Sequence, residues 1–224
     1  MFYDELIGAT ASERGNLLAL PFIRDGACGK LTRADYLAFL SQAYHHVKHT
    51  LPLIMACGAR LPERLEWLRT AMSDYVKEET GHQDWILNDI QACGGDCERV
   101  RQEWPSEAVE LLVAYAYDVI ARLNPVGFLG MVLVLEGTST AVATRAADAL
   151  QKTLYLPDGA FTYLRSHGAL DIHHIAFYES LVNRIAEADD RAMLVHCAKM
   201  FYRLYGDVFR NLDARRRMRV EAAA

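Results

Sequence analysis

The residues from Val126 to Ala141 form an apolar run that contains a single charged side chain, Glu136. A helix that is apolar on all sides lies at the centre of a fold, because it has no face suited to water. Its most apolar part, Val126 to Leu135, is too short to span a bilayer. No Lys or Arg lies in the run, so an ionised Glu136 buried there needs another cation. The run therefore predicts a central helix whose carboxylate binds a metal ion.

A Glu-x-x-His pair, Glu79 and His82, lies on the apolar stripe of a second helix. This helix is predicted from Glu63 to Ala92, with a bend near Gly81. Carboxylate-bridged di-metal helical proteins direct such a pair into their cores, where the Glu bridges two metals and the His binds one of them. Glu78 is a further candidate ligand beside Glu79.

Two histidines and an aspartate recur at offsets of four and three residues, at His167, Asp171 and His174. On a helix these offsets place the three side chains on one face. Imidazole nitrogen and carboxylate oxygen are ligands that suit iron, manganese or zinc. Gly168 is predicted to end a short helix from about 160, and a second helix is predicted over 171–184.

The first core helix contains further histidines. Thr32 has the features of a helix N-cap, and the helix is predicted from there to about Thr50. His46 and His49 share its apolar side, whereas His45 faces the other side. His46 is therefore the candidate ligand, although an error of about 40° in helical phase would bring His49 forward instead.

These segments together predict one metal site, with Tyr75, Glu79 and Glu136 as candidate catalytic residues. The predicted metal ligands are His46, Glu79, His82, Glu136, His167, Asp171 and His174.

The remaining segments are also helical. A third helix is predicted from Pro105 to Asn124, and the last begins at Asp189, with an apolar stripe to near Leu212. No strand pattern and no repeat is found. The sequence therefore predicts an all-α fold of about seven helices in one domain over 1–224, with its core over about 30–212.

Composition excludes some partners and compartments. The net charge is −5, which argues against a nucleic-acid partner, and the basic run 215–219 is predicted to be a solvated or frayed tail. The five cysteines are scattered in a chain too large to need disulfides, and no signal peptide is evident. These features predict a cytoplasmic protein that is not bound to a membrane.

Four motifs together resemble the haem-oxygenase-like iron-containing redox enzymes, part of the TenA/PqqC-like superfamily. They are Tyr44-His-His-Val-Lys-His49 with the following Leu-Pro-Leu, Glu78-Glu-Thr-Gly-His82, Leu135-Glu-Gly, and Ser166-His-Gly-Ala-Leu-Asp-Ile-His-His174. The resemblance implies a haem-oxygenase-like helical bundle and the activity of the di-iron oxidase and oxygenase group. In those relatives the first core helix supplies a Glu, where this chain has a His, assigned to His46.

The resemblance further implies a non-haem iron enzyme that binds Fe(II), with two ions expected and Mn(II) as an alternative. Dioxygen and a small, partly apolar substrate are the expected partners. A homodimer is also expected.

Alternatives on the same scaffold stay open. TenA-type hydrolases use a mid-chain cysteine, and this sequence has none between Cys97 and Cys197. A metal-free PqqC-like enzyme would leave Glu136 buried without a purpose. A haem oxygenase would use one proximal histidine, which His46 or His49 could supply. A ligand-binding or regulatory protein is the alternative outside enzymes.

Overall fold

The computed structural model describes residues 1–222, except for the side chains of residues 169–173 and 220. These residues contain twelve α-helices and no strand. The helices, numbered in chain order, are α1 (Phe2–Ala9), α2 (Ala11–Leu18), α3 (Pro21–Ala27), α4 (Arg33–Val47), α5 (Thr50–Arg60), α6 (Glu66–Glu79), α7 (His82–Ala92), α8 (Cys97–Gln102), α9 (Glu107–Asp118), α10 (Leu129–Leu154), α11 (Thr162–Val182) and α12 (Ala188–Ala222). The all-α prediction is confirmed, but about seven helices was too few, because short helices open the chain and one predicted helix is broken in two.

Helix α10 lies at the centre of the bundle. It buries residues such as Leu133 and Val134, and α3, α11 and α12 pack against it. An 18-residue window within Pro125–Leu154 has a mean hydropathy of 1.6, which would suit a membrane span by length and composition, but 61% of that window is buried inside the protein. Such burial is typical of a core helix. The predicted central helix is therefore present.

Helix α4 begins as predicted, at the Thr32 cap. The Thr32 hydroxyl accepts a hydrogen bond from the Asp35 backbone N–H, and the Asp35 carboxylate accepts one from the Thr32 backbone N–H. The helix ends at Val47, slightly before the predicted end. Helix α5 follows from Thr50, with Pro52 in its first turn, where the missing N–H has no partner to lose.

Helix α11 is continuous through Gly168, so the prediction of two helices over this segment was wrong. Gly168 lies against Thr144 of α10, and a Cβ atom at this position would overlap the Thr144 hydroxyl. The glycine therefore allows two long helices to approach closely, and it does not end a helix.

The C-terminal part of α12 belongs to the fold. Arg216 pairs with Asp25, at 2.6 Å, and with the buried Asp35, at 3.4 Å. Arg219 also pairs with Asp35. These ion pairs tie α12 to α3 and α4. The prediction of a frayed tail over 215–219 was therefore wrong, whereas the prediction of a solvated segment agrees with the exposure of residues 215 and 217–219.

Candidate metal centre

The break between α6 and α7 brings Glu79 and His82 together. Glu79 is the last residue of α6, and His82 is the first residue of α7. Between them Gly81 has a φ angle of 90°, a left-handed conformation that glycine adopts without strain. The bend expected near Gly81 is thus a complete break, because a right-handed helix does not continue through such a residue.

The contact between these two side chains fits two ligands of one metal ion. Both side chains are buried, and His82 Nδ1 lies 2.8 Å from Glu79 Oε2. Nevertheless, among the described residues His82 Nδ1 has no well-aligned hydrogen-bond partner. When two ligand atoms each lie about 2.1 Å from a metal and the angle between them at the metal is a right angle, they are about 3 Å apart. The short distance between this nitrogen and the carboxylate oxygen, without the alignment of a hydrogen bond, therefore fits a metal ion.

Glu79 is held in its ionised form. Burial raises the pKa of Glu79, but the adjacent His82 and the charges of His167 and His174 lower it by more, so the pKa lies below its ordinary value. The carboxylate is thus deprotonated at neutral pH, as metal binding requires.

Helix α11 contributes two histidines on one face. His167 and His174 are seven residues apart, or two helical turns. His167 Nδ1 donates a hydrogen bond of 3.0 Å to the Tyr163 carbonyl oxygen, so the ring proton lies on Nδ1 and Nε2 can bind a metal. Asp171 lies between the two histidines in the sequence of α11, and its side chain is outside the described residues.

His174 lies among three carboxylates from two helices. Its Nδ1 is 3.6 Å from Glu136 Oε1, on α10, and 3.9 Å from Glu79 Oε1, on α6. Its Nε2 is 3.2 Å from Glu78 Oε2, a side chain that is half exposed. The single carboxylate of the apolar run and the Glu-x-x-His motif therefore converge on α11.

Two groups of candidate ligands share Glu79. One group is Glu79, His82 and His167, and the other is Glu79, Glu136 and His174. Within each group the ligand atoms lie within 4.8 Å of one another. Glu79 turns Oε2 toward His82 and Oε1 toward His174. A carboxylate that bridges two metals has this arrangement.

His46 is buried but belongs to neither group in the described part of the chain. Its Nδ1 lies 3.1 Å from the Gln42 carbonyl oxygen, and burial lowers the pKa of its ring to about 4. His49 Nδ1 lies 3.2 Å from the Tyr117 hydroxyl. Neither the predicted first-helix ligand nor its alternative therefore belongs to a group of candidate ligands among the described residues.

Tyr75 lies beside the second group. Its ring centroid is 6.2 Å from that of His174, and its hydroxyl is buried without a hydrogen-bond partner among the described residues. Burial, followed by the negative charge of Glu136, raises the pKa of Tyr75. The hydroxyl thus stays protonated and can donate a hydrogen bond to a bound molecule.

An apolar cavity of about 150 Å³ lies against Glu79, Glu136 and His167. It follows α10 from Met131 to Leu150, which is about 28 Å at 1.5 Å per residue. The described residues that line it include no Lys, Arg or Cys. From the apolar run, the lining includes Phe128, Met131 and Leu135.

The longer arm of this cavity, beyond Glu136 toward the end of α10, was not anticipated. Ala143 and Ala146 line it on α10, and Phe22 and Leu31 line it from the N-terminal segment. The two alanines, small residues three positions apart in a long helix, are the one sequence signal that could have indicated this arm of the cavity.

Comparison with known proteins agrees with this geometry. The model of the iron-containing redox enzyme family matches residues 37–206, which include every candidate ligand. A comparison with curated proteins gave no match.

Solved structures share the fold over nearly the whole chain. A domain of unknown function with a haem oxygenase-like fold from Shewanella denitrificans OS217 is 25% identical, with a TM-score of 0.85 and coverage of 96% of this chain and 94% of that chain. A TenA homologue from Pseudomonas syringae pv. tomato DC3000 is 10% identical, with a TM-score of 0.82 and coverage of 96% and 93%. Haem oxygenase-1 from Synechocystis sp. PCC 6803, in complex with haem, is 15% identical, with a TM-score of 0.74 and coverage of 99% and 98%. The chain belongs to the iron-containing redox enzyme family and has its haem oxygenase-like fold.

Proposed function

We propose that this protein is a non-haem iron-dependent oxidase or oxygenase that acts on a small, partly apolar substrate with dioxygen. The observation that carries the proposal is the position of Glu79, which has one carboxylate oxygen toward each of two groups of candidate ligands. Two Fe(II) ions are the expected cofactor, and Mn(II) is the alternative, because histidine and carboxylate ligands suit both metals.

The proposed ligands fall into two sets. Glu79, His82 and His167 bind one ion, and Glu79, Glu136 and His174 bind the other. Asp171 is a further proposed ligand, because of its spacing from His167 and His174 on α11. Iron bound by these residues would activate dioxygen next to the cavity.

The protein's own groups have separate tasks in this proposal. The carboxylates of Glu79 and Glu136 offset the charge of the cations, which favours higher oxidation states. The Tyr75 hydroxyl, buried and without a partner among the described residues, can hold or transfer a proton at Oη. The apolar lining of the cavity keeps bulk water away from the reacting atoms.

Anaerobic titration of iron-free protein with Fe(II) tests the ligand assignment. We expect two equivalents in the wild type, about one in His82→Gln and in Glu136→Gln, and less than one in Glu79→Gln. Asp84→Asn, on the exposed side of α7, is the matched control and should bind as the wild type does. Unchanged iron content in Glu136→Gln would remove the central assignment.

Exposure of the loaded protein to air tests the redox part of the proposal. Oxygen uptake and a change in the optical spectrum are expected for the wild type and should be lost in Glu79→Gln. Iron binding without oxygen uptake would contradict an oxidase or oxygenase.

A metal-free TenA-like enzyme or a ligand-binding protein on the same scaffold is the alternative. The likeness to the TenA homologue supports it at the level of fold alone. No cysteine lines the described part of the cavity, so the nucleophile expected for a TenA-type hydrolase has no counterpart there. Absence of iron binding together with binding of apolar molecules would favour this alternative.

A further inference from the structure

The start of α11 is capped from another helix. Its first two residues are Thr162 and Tyr163, and the side chain of Phe161 before them cannot accept a hydrogen bond. The backbone N–H groups at a helix start have no partner within the helix, so another group has to accept from them. In this protein that group is the side chain of Asp89 on α7, 73 residues before Thr162 in the chain.

Asp89 accepts three hydrogen bonds at this place. Its Oδ1 accepts from the Thr162 backbone N–H at 3.0 Å and from the Thr162 hydroxyl, and its Oδ2 accepts from the Tyr163 backbone N–H at 2.9 Å. The side chain of Asp89 is fully buried. Loss of such an acceptor is costly, because the buried donors would then lack a partner in the protein and in water. Asp89 therefore fixes the first turn of α11 against α7.

The same turn of α11 orients the ring of His167. The Tyr163 carbonyl oxygen accepts a hydrogen bond of 3.0 Å from His167 Nδ1, and the Tyr163 ring lies against that of His167 at a centroid distance of 4.6 Å. Tyr163 thus binds Asp89 through its N–H and His167 through its carbonyl oxygen. A displacement of Tyr163 would therefore move the imidazole of His167.

Helix α7 places His82 at the other end of this contact. His82 and Asp89 are seven residues apart on α7, or two turns, so they lie on the same face. The ring centroids of His82 and His167 are 4.9 Å apart, and the ring of Trp85 stacks on His82 at 4.0 Å. The two helices therefore meet at two places, with Asp89 at one and the two histidines at the other.

We propose that Asp89 is a positioning residue of the candidate metal centre. Its cap on α11 keeps His82 and His167 close enough to bind the same ion. The inference rests on the proposed function, because this ion is the one assigned to the first group, Glu79, His82 and His167. Asp89 itself belongs to neither group of candidate ligands in the described part of the chain.

The second group, which contains His174, depends less on this cap. His174 is about three turns beyond Tyr163 on α11, and its Nδ1 lies 3.6 Å from Glu136 Oε1 on α10. Packing against α10 therefore supports this part of α11 independently of Asp89. Loss of Asp89 is thus expected to weaken the binding of one ion much more than that of the other.

Two background variants isolate the two ions. Glu136→Gln leaves the first group intact, and His82→Gln leaves most of the second. Anaerobic titration of iron-free protein with Fe(II) measures the dissociation constant of the remaining ion in each background. Adding Asp89→Ala should weaken binding roughly 10–100-fold in Glu136→Gln, the usual effect of removing a residue that orients a ligand, and by less than about threefold in His82→Gln.

A second readout needs no metal. In the iron-free protein the ring protons of His82 and His167 are close enough for a nuclear Overhauser signal between them, because their ring centroids are 4.9 Å apart. We expect this signal in the wild type, a weaker one in Asp89→Asn and none in Asp89→Ala. Asn keeps one oxygen that can accept from the start of α11, whereas Ala keeps none.

Asp35→Ala is the matched control. Asp35 is also a buried aspartate that accepts from a threonine N–H and hydroxyl at a helix start, but on α4. This variant should lose stability in urea denaturation, as Asp89→Ala does, and should keep the Overhauser signal and the affinity for both ions. A purely structural role for Asp89 would make the two variants alike.

Four results would overturn the inference. They are an absent Overhauser signal in the wild type, a persistent signal in Asp89→Ala, equal weakening of the two ions, or the same loss of the first ion in Asp35→Ala. If Asp89→Ala does not fold, Asp89→Asn decides in the same way, with a smaller effect expected. If the wild type bound no iron, the proposed function would fail, whereas the Overhauser signal would still decide whether Asp89 holds the two histidines together.

Discussion

Gly168 of α11 packs directly on Thr144 of α10, and a Cβ atom at 168 would overlap the Thr144 hydroxyl and lie 3.2 Å from the Thr144 backbone nitrogen. His167, a candidate ligand, is the preceding residue on α11. The closeness of two long helices at this point therefore helps to set the position of a histidine at the candidate metal centre.

Gly168→Ala is expected to destabilise the protein by about 1–3 kcal/mol, the usual cost of adding a methyl group to a closely packed contact. Urea denaturation measures the free energy of unfolding. In a Thr144→Ala background the cost should be smaller, because the overlapping hydroxyl is gone. Equal costs in the two backgrounds would show that this contact does not limit the approach of the helices.

Removal of metal is expected to lower the melting temperature. Glu79, Glu136 and His174 lie close together and buried, and a cation that binds only the folded state stabilises it by mass action. At a free metal concentration of 100 times the dissociation constant, the stabilisation is about 2.7 kcal/mol. Thermal melts with and without a chelator test this, and Glu136→Gln should show a smaller difference. No change in a wild type shown to contain iron would contradict the expectation.

His45 is expected to make stability depend on pH. Burial, followed by the charge of Lys48, lowers the pKa of His45 from 6.5 to about 4, and its Nε2 is buried without a partner among the described residues. Since the unfolded chain binds a proton near pH 6.5 and the folded protein does so only near pH 4, stability contributed by the neutral ring is full above pH 6.5 and is lost as the pH falls to about 4.

The expected size of this effect is about 1–3 kcal/mol across that window. Replacing His45 with Leu should make the free energy of unfolding depend less on pH between 6.5 and 4. Other buried histidines, such as His46, leave some dependence in the variant. Parallel curves for wild type and variant would show that His45 titrates normally.

Asp35 is expected to matter more than either arginine that pairs with it. It is 2% exposed, completes the cap of α4 and pairs with Arg216 and Arg219. Asp35→Ala removes half of the capping box and both ion pairs, so a loss of about 2–4 kcal/mol is expected. Arg219→Ala, at a side chain that is 45% exposed, should cost less than about 1 kcal/mol. Urea denaturation compares the two variants, and equal losses would contradict the ranking.

Local sequence signals predicted the parts of the fold that depend on one segment. Glu136 stands out because its neighbours are apolar on all sides, and Thr32 because capping needs only the residues that follow it. The spacing from His167 to His174 likewise predicted a shared helical face. These features depend on helical periodicity, which a sequence displays directly.

Features that depend on contacts between distant segments were missed or misjudged. Gly168 resembles a helix end in sequence, and only the packing of Thr144 explains a continuous helix. His45 was expected to face away from the core, but it is 1% exposed because helix phase alone does not reveal which neighbours cover a side chain. The basic run 215–219 reads as a tail unless the positions of Asp25 and Asp35 are known.

Glu79 and His174 lie far apart in the sequence, and both candidate groups need residues from α6 or α7 together with α11. Contacts between such distant segments require large loops to close, so they form only when most of the chain has been synthesised and docked. During translation, a chain that ends before α11 lacks one ligand of each group. Tight binding of iron would therefore indicate that folding is complete.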